Sequence, residues 1–348
     1  MQKITKFFNT TLIFLPAILA ISIFAFIPGV VVGAINPFGA FEYLKGLSIT
    51  DLANGDNPFQ DFSFNFSPEE KSDTSYVDTS DSISPHYNVC EEFFSSQESN
   101  IVLRKDDCYV KNLTHLEPSE VKDIMLSPVR FKAEKNSDDP QILIMHTHAT
   151  ESYIPSADTP FDPNYAYRNT DTNLNMVAVG KVMTDTLNNL GYNTIQDSTL
   201  HDYPSYNGSY DKSKETVQKY LEKYPSIKIV LDIHRDAVER NGTIISPTTT
   251  IDGTKYAQIM IISGADNGYM NMPNYKENLK FATSVQNQIA KTYPGLARPI
   301  LFDYRNYNQQ LTTGSILVEV GTHGSTLNQA KNSGRAFAEC LAKALDNM

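Results

Sequence analysis

The chain has 348 residues, 41% of them hydrophobic, no Trp and a formal net charge of -11. That length accommodates about two domains, and the acidic balance argues against a nucleic-acid partner, which normally shows a basic patch or stripe. An enzyme domain with attachments is the simplest organisation left.

No residue from Phe7 to Phe41 is charged. Residues 11–35 of that stretch form an apolar run of 25 residues, and roughly 20 suffice to cross a hydrocarbon core. Lys3 and Lys6 precede the run and no basic residue follows until Lys45. Residues 1–10 are therefore expected to stay in the cytoplasm, with residues 11–35 as a single-pass anchor in the cytoplasmic membrane and the rest of the chain outside. The alternative is a cleaved signal peptide, for which Val32-Gly33-Ala34 offers a small-residue site. Residues 36–84 read as an acidic, flexible linker, with eight acidic residues against one Lys between Asp51 and Ser84. Too little apolar surface is available there to offset the entropy of ordering.

Residues 85–139 read as a small accessory region of unassigned role, with a short helix over Glu117 to Ser127. Cys90 and Cys108 lie 18 apart, and in an exported chain that predicts a disulfide, the alternative being two unrelated thiols. Cys340 is expected as a small core residue.

From residue 140 to 348 strand and helix patterns alternate. A first strand, Ile142 to His146, leads into a polar loop carrying Tyr153, Tyr165, Tyr167 and Arg168. A helix from Asp171 to Leu190 ends at Gly191, and a short strand spans Tyr192 to Gln196. Helix Asp211 to Tyr224 precedes a second apolar strand, Ile227 to Asp236. A Gly-containing turn before Tyr256 to Ser263 suggests a hairpin. Helix Tyr275 to Tyr293, strands Arg298 to Phe302 and Ser315 to Gly321, and helix Thr326 to Asn347 complete the chain. This alternation predicts an α/β fold with a largely parallel central sheet and helices on both faces.

Three of these strands run out into residues suited to chemistry. Ile142 to Met145 discharges into His146, His148 and Glu151; the second strand ends on His234; the last presents Glu319 where its apolar run gives out. Ligands bind outside the carboxyl ends of strands in open α/β sheets. His148 and Glu151 form an H-x-x-E pair able to converge on one cation. Two His and one Glu as ligands, with water in a fourth position and a separate Glu as base, make a hydrolytic zinc set.

The stretches HTHATESY, DIHRD and LVEVGTHGSTLN resemble the stage II sporulation protein P family over roughly the last 60% of the chain. The resemblance implies a zinc-dependent N-acetylmuramoyl-L-alanine amidase of endospore-forming bacteria. It makes His148 rather than His146 the first metal ligand, gives His234 as another, and makes Glu319 the catalytic acid/base. Thr322 departs from the Phe usual in the amidase pattern. In that pattern the carboxylate ligand opens the first helix, the place held here by Asp171. Zinc carboxypeptidases instead use H-x-x-E, matched by His148 and Glu151. Glu151 is preferred because the turn already sets it beside His148, which leaves Asp171 to cap the helix.

His146, Arg168 and Arg235 are candidates to contact substrate, His146 alternatively orienting His148 or merely packing beneath it. The resemblance implies peptidoglycan as substrate, the amide between N-acetylmuramic acid and the stem peptide as the bond cut, and a second activity on peptide cross-links. It also implies a lytic transglycosylase and a second sporulation membrane protein as partners, at the mother-cell membrane of the sporulation septum. A metallocarboxypeptidase trimming stem peptides and a non-catalytic, membrane-anchored wall-binding module are the alternatives.

Overall fold

The computed structural model describes residues 89–155 and 167–348. The anchor expected at residues 11–35, the linker at 36–84 and Tyr165 lie outside the described residues. The chain divides into two units, Met1–Ser80 and Asp81–Met348, and all that follows belongs to the second. Among the described residues no helix is long and apolar enough to cross a membrane.

Strands β1 (Val89–Glu92), β2 (Val102–Lys105) and β3 (Cys108–Asn112) come first, followed by helix α1 (Pro118–Ile124). Then β4 (Ile142–Met145), α2 (Met176–Asn189), β5 (Thr194–Gln196), α3 (Ser209–Lys223) and β6 (Ile229–Asp236) alternate. Strands β7 (Glu239–Arg240), β8 (Thr243–Ile251), β9 (Thr254–Ala257) and β10 (Ile259–Gly264) precede α4 (Tyr275–Thr292). The chain closes with β11 (Ile300–Asp303), a 3-10 turn at Gln309–Leu311, β12 (Gly314–Thr322) and α5 (Leu327–Asp346).

The larger sheet has the order β2-β3-β11-β10-β12-β6-β4-β5. It is mixed rather than largely parallel, because β2–β3 and β10–β12 pair antiparallel. The reason lies in the route from β6 to β10. No helix intervenes to carry the chain back for a parallel return; β8 and β9 instead form a hairpin, and β9 runs through Gln258 straight into β10. Asp252 and Gly253 at the hairpin tip both have positive φ, the backbone of a type I′ turn. The smaller sheet has the order β1-β8-β7, with β9 paired to β8.

Two sequence expectations for residues 85–139 are corrected. The region is no separate accessory body, since β3 pairs parallel with β11 and so extends the main sheet. Cys90 and Cys108 are free thiols, one on a strand of the smaller sheet and the other on a strand of the larger. The Cys108 Sγ is buried against Gln286 Oε1 at 2.9 Å, while Cys340 sits in the core as expected.

Alternation along the central strands decides what each face carries. On β6, Ile229, Leu231 and Ile233 enter the larger core, to which α2, α4 and α5 contribute, while Val230 enters a smaller core beneath α3. Asp232 and His234 follow Val230 on the α3 side. On β12, Ile316, Val318 and Val320 likewise face the larger core, which turns Leu317 and Glu319 to the other side. Helix α2 begins at Met176, not at Asp171: the Asn175 side chain caps it by accepting from Val177 N at 3.0 Å. Asp171 instead accepts from Asn173 N at 2.9 Å in the preceding turn, so the capping role expected of Asp171 belongs to Asn175.

Candidate metal centre

His148, Glu151 and His234 are buried and present one ligand atom each, all within 4.8 Å of one another. His148 and Glu151 come from the turn after β4, closed by Glu151 N donating to His148 O at 3.1 Å. His234 comes from the end of β6. His148 Nδ1 lies 3.6 Å from Glu151 Oε1, and His234 Nδ1 lies 3.5 Å from Glu151 Oε2. The imidazole planes are nearly perpendicular at 83°, with centroids 5.0 Å apart. Asp171 is exposed in its own turn and is not among these residues.

Asp232 stands behind His234. Its Oδ1 is 2.8 Å from His234 Nε2, and the carboxylate also accepts from Thr147 N at 2.8 Å and Thr147 Oγ1 at 2.7 Å. A carboxylate charge beside the far nitrogen of a histidine raises its basicity toward a cation. Sequence reasoning missed Asp232, although the D-x-H spacing on a strand places both side chains on one face. Burial works against ionisation of Glu151, but hydrogen bonds with His148 and His234 outweigh it and hold the carboxyl well below its usual range. Burial likewise opposes charge on His234, and the Asp232 charge overcomes it, so the imidazole is driven well above its ordinary value. The centre therefore favours positive charge.

Glu319 pairs in register with His234 across the parallel β12–β6 ladder. The ladder breaks between Glu319 and Thr322, where Gly321 takes a φ of +69° and a side chain would meet Ser325 Oγ at 2.6 Å and Ala257 Cβ at 2.7 Å. Glu319 is half-buried, yet its Oε2 is enclosed and has no hydrogen-bond partner. Burial, reinforced by the charge of Asp236, pushes its carboxyl up to about 8.

Two tyrosines from the start of α3 and the loop before it wall the site. Tyr206 stacks on His148 with centroids 4.6 Å apart, and Tyr210 meets the same ring edge-on at 5.4 Å. Arg168 lies over Tyr206 at 4.8 Å. Its Nη1 donates to Asp202 Oδ2 at 2.6 Å and to Thr150 Oγ1 at 3.1 Å. Arg235 donates through its main-chain N to Glu151 Oε2 at 3.1 Å, and through its guanidinium to Ser152 O and Tyr167 O at 3.1 and 2.9 Å. Both arginines thus spend donors within the protein, Arg168 on Thr150 and Asp202 and Arg235 on Glu151, Ser152 and Tyr167.

His146 is not brought to the centre. It is fully buried, bonded through Nδ1 to Ile233 O at 3.0 Å and through Nε2 to Gln196 Nε2 at 3.1 Å. The substrate contact expected of it is therefore corrected to packing, and burial lowers its pKa to about 4.

The donor set suits a small divalent cation. His148 and His234 face different oxygens of Glu151 at 3.6 and 3.5 Å, and the three donors lie within 4.8 Å of one another. Two imidazoles and one carboxylate, a carboxylate behind one imidazole and an unpartnered carboxylate oxygen alongside are the chemistry such an ion needs.

The family model described as Stage II sporulation protein P matches residues 55–342. Stage II sporulation protein P of Bacillus subtilis (strain 168) is 28% identical over 221 residues, covering 60% of this chain and 52% of that protein. The chain thus spans about half the length of this curated relative. Similar solved structures include an N-acetylmuramoyl-L-alanine amidase from Clostridium difficile 630, at 15% identity over 61% of this chain and 97% of that one, with a TM-score of 0.36. N-acetylmuramoyl-L-alanine amidase AmiC2 of Nostoc punctiforme is 16% identical over 61% and 97% of the two chains, with a TM-score of 0.33. The CwlD amidase from Clostridioides difficile, solved in complex with the GerS lipoprotein, is 13% identical over 60% and 97%, with a TM-score of 0.34.

Proposed function

The chain belongs to the stage II sporulation protein P family, and from that premise we propose that it is a zinc-dependent hydrolase of peptidoglycan acting in sporulation. The bond cut is the amide between N-acetylmuramic acid and the stem peptide, with peptide cross-links as a second target. The observation that carries this reading is the convergence of His148, Glu151 and His234 beside an unpartnered Glu319 oxygen.

His148, Glu151 and His234 would hold the zinc, which when bound supplies Lewis acidity toward oxygen. Asp232 sets its charge against Nε2 of His234, whose Nδ1 faces Glu151. The Arg235 main-chain N and the nearby Arg168 guanidinium orient the Glu151 carboxylate. Glu319 takes the proton from the attacking water as the new C–O bond forms, and returns it to the amine nitrogen as the C–N bond breaks. A carboxyl raised toward neutral pH suits both halves of that exchange. Arg168, with Tyr206 beneath it, is the side chain at the site mouth best placed to meet an acidic stem peptide.

The reading includes membrane attachment through residues 11–35, with residues 36–348 outside the cytoplasmic membrane. The apolar run and the placement of Lys3 and Lys6 support it. A lytic transglycosylase and a second sporulation membrane protein as partners, at the mother-cell membrane of the septum, rest on the family resemblance alone. The experiment is digestion of purified peptidoglycan by the full chain, with mass spectrometry of the products. Peptides released from intact glycan support the amidase; cross-links opened with stems still on glycan support the endopeptidase; no product from either bond sinks the reading.

A further inference from the structure

Tyr210 is the second residue of α3 and is held on several sides. Its ring stands edge-on to His148 at 5.4 Å and 77°, and stacks on Tyr307 at 5.3 Å and 24°. Its carbonyl accepts from Asn308 Nδ2 at 2.7 Å and Ser213 Oγ at 3.2 Å. The ring therefore stays where it is, against the proposed metal ligand and on the same face of the sheet as Asp232 and Glu319.

Its hydroxyl makes no hydrogen bond among the described residues. Tyr206 also has a free hydroxyl, but at 53% exposure its oxygen is served by water. Tyr210 is half-buried, with its ring pinned between His148 and Tyr307. An unbonded phenol O–H beside the proposed metal ligand is available to donate to an arriving acceptor.

The geometry points to the Tyr210 hydroxyl as a catalytic hydrogen-bond donor to the scissile carbonyl oxygen, the atom on which negative charge develops during hydrolysis. This rests on the amide-hydrolase reading above. A fixed donor aimed at developing charge strengthens most in the transition state. It places the substrate carbonyl between the α3 terminus and the His234–Glu319 pair, with the leaving nitrogen within reach of Glu319.

The test compares Tyr210→Phe with wild type as full-length proteins, because this change removes the hydroxyl and keeps both ring contacts. Turnover of peptidoglycan is expected to fall by about 10²- to 10³-fold, the usual cost of one such donor, with KM, zinc content and melting temperature unchanged. A second readout is calorimetric binding of lactoyl-alanine carrying a phosphinate in place of the scissile carbonyl. The variant should bind it by a similar factor more weakly, while its affinity for the free product peptide is kept. Unchanged turnover, a fall in zinc content, or equal weakening of phosphinate and product would each overturn the inference. A wild type that cuts neither bond would sink the underlying reading instead, and this inference with it.

Discussion

Glu319 and His234 are register partners on adjacent parallel strands, and both side chains leave the sheet on the face covered by α3. A parallel ladder keeps such a pair side by side without any loop having to position them. The proposed base and one proposed metal ligand are thus set by the ladder of the main sheet, while His148 and Glu151 come from a turn tied to it by Arg235.

Removal of any one of the three donors should empty the centre. Full-length His148→Ala, Glu151→Ala and His234→Ala are expected to lose bound zinc by elemental analysis, and Asp171→Ala to keep it. A Glu151→Ala protein at full occupancy, alongside an Asp171→Ala protein without metal, would move the carboxylate ligand to the head of the first helix.

Asp232→Asn keeps the shape behind His234 and removes the charge. Zinc affinity is expected to drop by about 10- to 100-fold, as for other partners of ligating histidines. Competition with a chelator of known affinity measures it, and an unaltered constant would show that Asp232 serves only Thr147.

Glu319→Gln separates base from ligand. Zinc should stay bound while turnover falls by about two to four orders of magnitude. Near-normal digestion of peptidoglycan with zinc in place would rule out Glu319 as the proton carrier.

The same carboxyl sets a pH dependence in the metal-free chain. Its pKa is about 8 in the fold against an ordinary 4.5, so between these values the folded state holds a proton that the unfolded state gives up. Stability contributed by the protonated form is complete below 4.5 and is lost as pH rises through 8. Glu319→Gln, which cannot ionise, should melt increasingly above wild type from pH 5 to pH 8. A difference that stays flat across this window contradicts the assignment.

Gly180 in α2 lies against His146, and a Cβ there would meet His146 Nε2 at 2.5 Å and Gln196 Nε2 at 2.6 Å. Overpacking of this kind costs about 1–3 kcal/mol, against the roughly 1 kcal/mol that Ala gains over Gly in a helix. Gly180→Ala is expected to lower the urea midpoint. A raised midpoint would mean that His146 can move aside freely.

What the sequence made legible were the central strands and what lies at their ends. β4, β6 and β12 are covered on both faces, so they read as unbroken apolar runs, and a polar residue closing such a run stands out. The hairpin strand β8, TIISPTTTI, is poor in large apolar residues and contains Pro247, so no run marked it. The Gly-containing turn before Tyr256 signalled a hairpin, but with β8 undelimited the antiparallel pairing of β10 did not follow from it. Arg168 and Arg235 looked like free cations because their partners, Asp202 and main-chain carbonyls, lie far away in sequence or carry no side-chain signal. Tyr206 and Tyr210 sit in a stretch whose polarity hides that its aromatic rings fold back onto His148.

The unbridged thiols give the molecule a built-in clock for unfolding. Cys90 is exposed, whereas Cys108 and Cys340 are sealed in the core with burial pushing both thiols upward. An alkylating reagent should therefore mark the native protein once and rapidly, and the other two sulfurs only when the sheet opens. Mass spectrometry of the labelled chain would then count opening events directly, with Cys90 as the internal reference. The same arrangement means that maturation of this fold requires no oxidant.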